Sequence, residues 1–235
     1  MSLLELVDVG KRSGTGRGQG ERWVLREISL RIEPGELAGV WGRRHAGRST
    51  LLRIAAGLEP PDEGLVRRDG VELGTARGGV RMCRKRFRAI DGELVLDQLI
   101  TSQLVCGVPG DAARAQAIAA LQRVDAQPCA MLRPSELATA ELVLVAIARS
   151  LTHAPRLLVI DEPTLGVELC ERDRVLAALR RLPGQGTTVL ASAGDTASLS
   201  GFDRVLCLSG GRLRGQEAAE LAPVVQLRAL RGAGR

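Results

Sequence analysis

The chain has 235 residues, of which 45% are hydrophobic and 26% charged, with a formal net charge of +6. Tyrosine is absent and aromatics total 2%, which excludes modules that read nucleic acid by stacking bases on aromatic side chains, and no apolar run approaches the ~18 residues of a membrane-spanning helix. Five scattered cysteines without a C-x-x-C pair, and only two histidines, exclude a readable zinc site and fit a reducing compartment.

Residues 3–9 alternate as a strand does, and residues 10–19, rich in glycine, serine and basic side chains, predict a flexible hairpin loop. A strand is predicted over 23–32, a turn at Pro34-Gly35, and a short, mostly apolar strand over 36–41. Residues 42–50 form a glycine-bounded loop, and 51–57 have a helical pattern closed by Gly57. Residues 60–64 read as loop and 65–73 as a short hairpin around Asp69-Gly70.

Residues 80–104 show no clear period. Arg81, Arg84, Lys85, Arg86 and Arg88 cluster there, either as a solvated run or as a docking surface for a partner or lipid headgroups. Asp111 is placed to cap a helix through Ala112, Ala115, Ile118, Ala119 and Leu121. Ser135 is placed to begin another, running to about Leu151. After Pro155 comes a strand, Leu157-Leu158-Val159-Ile160, apolar on both faces and therefore buried on both. A helix over 171–182, a buried strand over 187–191, a late strand over 204–208 and a helical tail from Ala218 complete the predicted elements.

Two stretches carry chemistry. Asp161 and Glu162 follow the buried strand where it leaves the sheet, and Pro163 stops it. Ligands of open α/β sheets bind at the carboxyl ends of the strands, so these carboxylates are placed to handle a phosphate-bound metal and an attacking water. The plainer alternative is a solvated acidic turn. The second stretch is Gly42-Arg43-Arg44-His45-Ala46-Gly47-Arg48-Ser49-Thr50. It fits G-x-x-x-x-G-K-[ST] except at Arg48, and it lies between a strand and a helix, as a phosphate-binding loop must. Backbone N–H groups of such a loop favour anions, and Ser49 would offer its hydroxyl to Mg²⁺.

Together these stretches resemble the nucleotide-binding subunit of an ATP-binding cassette (ABC) transporter. Further segments are similar to that family: Glu33-Pro34-Gly35-Glu36, the run from Ala56 through Glu59 to Gly64, the run from Val145 to Leu151, Asp203-Arg204-Val205-Leu206 and Gly210-Gly211-Arg212-Leu213. The resemblance implies a single α/β domain over 1–235: a P-loop NTPase core with a RecA-like, mostly parallel sheet, an N-terminal antiparallel β layer, and a helical subdomain inserted over about 95–152. It implies ATP and Mg²⁺ as cofactors, a homo- or heterodimer with an ABC ATP-binding subunit, and a separate transmembrane permease as partner, on the cytoplasmic, inner face of the membrane. Arg133-Pro134-Ser135-Glu136-Leu137 is similar to exporters of the lipoprotein-release and macrolide-efflux type.

Carried over by position, Asp161 and Ser49 match the Mg²⁺ groups, Glu162 matches the general base, and Thr50 follows as in the family. Other positions depart. Arg48 replaces the lysine that reaches the terminal phosphates, and an arginine there is bulkier and planar. His45 stands where a glycine with positive φ is usual. Lys85 or a neighbour takes the place of a glutamine that joins metal to permease. Gly194 takes the place of a histidine that contacts the γ-phosphate. Ser13 replaces the aromatic that stacks on adenine, with Trp23 as a candidate substitute. The L-S-G-G-Q signature aligns with Leu137, Ala138, Thr139, Ala140 and Glu141, losing its serine and both glycines, and Glu141 adds a negative charge near the partner's ATP. Leu142, Val143 and Leu144 then make the helix apolar nearly all round, which implies burial on every face: either a contact with another protein or a relaxed, degenerate surface. Each lost acid/base or charge-stabilising group typically costs about 10²–10⁴ in rate. The expectation is therefore an ATPase of slow or absent turnover at its own loop, serving a transporter. The alternatives are a non-hydrolytic pseudo-ATPase that supports an active homologue and, more distantly, a soluble cassette acting on nucleic acid.

Overall fold

The fold was obtained as a computed structural model, which describes residues 2–13, 22–72, 79–83 and 92–217. Of the loop expected over 10–19, residues 10–12 belong to β1 instead and residues 14–19 lie outside the described residues, as do the basic residues Arg84, Lys85, Arg86 and Arg88 with the glutamine position and the tail from Ala218.

The chain opens with β1 (Leu4–Arg12) and β2 (Trp23–Ile32), paired antiparallel in the register Leu4 to Ile32 and Leu6 to Leu30. Alternation turns Leu4, Leu6, Leu25, Ile28, Leu30 and Ile32 to one buried face. β3 (Leu37–Trp41) then leads through residues 42–47 into α1 (Arg48–Ala55). β4 (Glu63–Arg68) and β5 (Val71–Glu72) form the hairpin expected around Asp69-Gly70, and complete a four-stranded antiparallel layer in the order β2-β1-β4-β5.

β6 (Val80–Cys83), β7 (Leu157–Asp161), β8 (Thr188–Ala193) and β9 (Arg204–Ser209) join β3 in a parallel array, with β10 (Arg212–Glu217) antiparallel at one edge. The order is β10-β9-β3-β8-β7-β6. Both faces of this sheet are covered, as its unbroken apolar strands require. Ala38, Val40, Leu157, Val159 and Leu190 pack with Leu51, Leu52 and Ile54 of α1 beneath the antiparallel layer. The intervening residues Leu37, Leu158, Ile160, Val189 and Ala191 pack on the opposite face against helical residues such as Leu144, Ile147, Leu176 and Leu179. With so few aromatics, the core is built of aliphatic side chains.

The segment between β6 and β7 contributes α2 (Val95–Leu104), α3 (Gly110–Arg123) and α4 (Thr139–Leu151); α5 (Leu169–Arg181) follows β7. Two expected helix starts are corrected. Asp111 is not a cap: α3 begins at Gly110 after Pro109, and Asp111 lies inside its first turn, where its charge suits the helix dipole. Ser135 does not begin α4. Pro134–Glu136 form a separate 3-10 turn, and α4 starts at Thr139, where Glu141 reaches back to accept the Ala138 N–H at 2.9 Å. The apolar face of α4 is corrected too. Leu144, Val145 and Ile147 are fully buried in this chain's own core, and Leu142 and Val143 are half-buried against it. Burial within the fold accounts for that pattern without a partner.

Candidate functional site

Because β8 lies between β3 and β7, the carboxyl ends of three adjacent parallel strands meet in one place. The register sets Trp41 beside Ala193, and Ser192 beside Asp161. Gly42 therefore leaves β3, Glu162 leaves β7 and Gly194 leaves β8 on the same rim.

The loop is shaped by its glycines. A Cβ on Gly42 would sit 2.4 Å from the Leu208 carbonyl oxygen, so only glycine fits there. Gly47 precedes α1 at φ +100, with the Val24 carbonyl 2.9 Å from where a Cβ would stand. His45 takes φ +65, the left-handed region expected to strain a side chain at this position. Arg43, Arg44 and His45 face solvent, Ala46 and Gly47 are half-buried, and Arg48 turns inward. Arg48, Ser49 and Thr50 form the first turn of α1, where N–H groups have no partner within the helix and present a partial positive charge.

Ser49 and Asp161, 112 positions apart, meet: the Ser49 hydroxyl donates to Asp161 Oδ2 at 2.7 Å. Ser192, given no role by sequence reasoning, completes this half of the site. Its hydroxyl donates to Asp161 Oδ1 at 2.6 Å and accepts the Glu162 N–H at 3.2 Å. The signal that could have found it is a hydroxyl closing an otherwise apolar strand beside the acidic one. Asp161 is 5% exposed, so both carboxylate oxygens are held in place. Glu162 has φ +50, a strained conformation for a non-glycine residue, and its N–H is also fixed by the Ser192 carbonyl at 3.2 Å. Hydroxyl and carboxylate oxygens converging at a helix start suit a hard divalent cation such as Mg²⁺.

The side of the rim at Arg48 is built differently. The Arg48 guanidinium is 9% exposed and lies over the rim. Nη1 donates to the Gly42 carbonyl at 2.7 Å and to the Ala193 carbonyl, while Nη2 pairs with Glu162 Oε1. One side chain thus ties together the ends of β3, β8 and β7. A Cβ added at Gly194 would lie 3.4 Å from Arg48 Nη1 and 3.8 Å from Glu162 Oε1. Cys83, at the end of β6, is no nucleophile here, since burial pushes its thiol up to about 11.

This arrangement coincides with a family match: the model of the ABC transporter family fits residues 25–165, more than half of the chain. The chain belongs to the ABC transporter family. Two relatives sharpen the placement. The aliphatic sulfonates import ATP-binding protein SsuB 3 of Pseudomonas syringae pv. syringae (strain B728a) is 34% identical over 196 residues, 83% of this chain and 70% of its own. The lipoprotein-releasing system ATP-binding protein LolD of Maricaulis maris (strain MCS10) is 34% identical over 204 residues, 83% of this chain and 89% of its own. Among solved structures, the dimeric ATP-binding cassette MJ0796 bound to ADP and Pi superposes with a TM-score of 0.79 at 22% identity, over 92% of this chain and 98% of that one. This last likeness concerns the fold, and it agrees with the P-loop α/β architecture described above.

Leu137 to Glu141, the residues aligned with the signature on sequence alone, cap and begin α4, away from the loop in sequence and serving the chain's own packing. Leu137 belongs to the main core, and Ala140, 1% exposed, packs with Val167 and Val175. Ala138 and Thr139 are exposed. Glu141 holds the Ala138 N–H and lies 3.6 Å from Arg174, so its charge is engaged within this subunit. Trp23, the candidate adenine platform, carries the Arg12 guanidinium 4.4 Å from its ring centroid. No helix among the described residues is long and apolar enough to cross a membrane.

Proposed function

We propose that this chain is an ATP-binding subunit that docks on a separate transmembrane permease, binds Mg-ATP at the rim described above, and turns it over slowly at its own loop. The observation that carries the reading is the contact of the Ser49 hydroxyl with Asp161 at the head of α1. Ser49 and Asp161 would hold Mg²⁺, which would neutralise charge on the phosphates. The glycine loop and the first turn of α1 would take the phosphates through backbone N–H groups. Glu162 would orient and deprotonate water, but here it is paired with Arg48, and Gly194 offers no side chain to the γ-phosphate. The names of the similar import and release-system ATP-binding proteins support a transport role; a place on the inner face of the membrane and assembly as a dimer of cassettes, the form in which MJ0796 was solved, belong to the same proposal.

The engaged Glu162 favours one second reading: a pseudo-ATPase that binds nucleotide and supports an active homologue. Thermal shift with Mg-ATP and steady-state phosphate release, on the parent and Glu162→Gln, separate the two. Turnover that disappears in the variant supports the slow ATPase. Binding without turnover supports the pseudo-ATPase. Absence of binding would remove the nucleotide role.

A further inference from the structure

The departures at 48 and 194 are adjacent, since a Cβ added at Gly194 would stand 3.4 Å from Arg48 Nη1, and the geometry points to one device rather than two independent losses. We infer that Arg48 is a latch on the nucleotide-free cassette, that Gly194 is the space it needs, and that ATP must break the latch to bind. This rests on the reading of the rim as a Mg-ATP site.

Arg48 reaches backbone carbonyls at the ends of β3 and β8 and the carboxylate that follows β7. A guanidinium can do this because its donors fan out in a plane from separate nitrogens, whereas an ammonium presents its three donors from a single point. The pair with Glu162 is shielded, at 9% and 16% side-chain exposure, so the two charges are held rather than merely near. Glu162 is thereby occupied as an acceptor for water, and the Arg48 charge is spent before any phosphate arrives. Gly194 directly follows Ala193, whose carbonyl the fork holds. A Cβ there makes ordinary contact with Nη1 at 3.4 Å, but an imidazole beyond it would compete with the guanidinium for Glu162 Oε1, only 3.8 Å away. Glycine at 194 is therefore not needed for backbone conformation. It keeps the fork's position open. Arg48 acts through Glu162 and the loop, as a positioning residue.

The test is a two-by-two set: parent, Arg48→Lys, Gly194→His and both together, each titrated with Mg-ATP by calorimetry and followed for single-turnover phosphate release. Arg48→Lys should tighten Mg-ATP binding by about tenfold, the equivalent of one charge-assisted contact no longer displaced. Gly194→His alone should bring no gain in turnover. In the Arg48→Lys background the same histidine should raise it, so that the two changes are strongly non-additive. If Arg48→Lys does not fold, Arg48→Gln combined with Glu162→Gln removes both charges of the latch and should likewise tighten binding. Unchanged affinity in both Arg48 variants, or a histidine at 194 that acts equally with and without Arg48, would overturn the latch. Failure of all four proteins to bind Mg-ATP would instead overturn the nucleotide site itself, and the latch with it.

Discussion

The two halves of the rim have had different fates. On one side, Ser49 at the start of α1 and Asp161 and Ser192 on buried strand ends form a closed set of short hydrogen bonds, the set proposed to hold the metal. On the other, Arg48 cross-links Glu162 to the Gly42 and Ala193 carbonyls beside Gly194, occupying the groups that the proposed hydrolysis would use. The first half depends on residues whose backbones are fixed by the sheet, with β8 between β3 and β7. The second depends on one long side chain that has chosen a new set of partners. A set fixed by the sheet and a set made by one long side chain can thus stand side by side on the same rim.

The comparison breaks most directly at Asp161. Asp161→Asn should weaken Mg-ATP binding on the order of a hundredfold, by loss of a charged acceptor, while binding of ATP in the presence of a chelator stays as in the parent; equal loss in both conditions would show that the metal side holds no metal. Next in size, Leu144→Ala should cost about 2–5 kcal/mol in denaturant unfolding, because its fully buried side chain fills the chain's own core. A change near zero would return α4 to the role of a partner surface.

The difference between these two expectations reflects what the sequence could convey. The strands β3 and β7 were legible because apolar runs between glycine and acidic punctuation admit few other placements. The meeting of Ser49 with Asp161 was legible only through the family resemblance, since 112 positions separate them. Helix starts were misread where a good capping residue was outcompeted. Ser135 lost to a 3-10 turn set by Pro134, with Glu141 fixing the true start, and Asp111 fell inside a helix that Pro109 had already opened. The inward turn of Arg48 was not legible at all. Its acceptors include a carbonyl 145 positions away and a carboxylate 114 positions away, and no local pattern encodes that choice.

Two smaller effects sharpen the contrast. Ser192→Ala should cost about 1–3 kcal/mol in stability, since it takes a hydrogen bond from the buried Asp161 carboxylate, and should also weaken Mg-ATP binding; a loss of stability with binding intact would make Ser192 structural alone. His45→Gly should stabilise the fold by about 1 kcal/mol at most, as the left-handed φ of +65 is relieved against the greater freedom of glycine when unfolded. Thermal unfolding reads this directly, and a clear destabilisation would mean that the His45 side chain has a contact worth keeping.

The most direct measurement is the magnesium dependence of ATP binding to the parent protein and to Ser49→Ala, made by calorimetry with Mg²⁺ and then with a chelator. Convergence of Ser49 and Asp161 on a metal requires that Mg²⁺ tighten ATP binding in the parent and do so far less in Ser49→Ala. Equal affinity with and without Mg²⁺ in the parent, or an Mg²⁺ effect undiminished in Ser49→Ala, would contradict it.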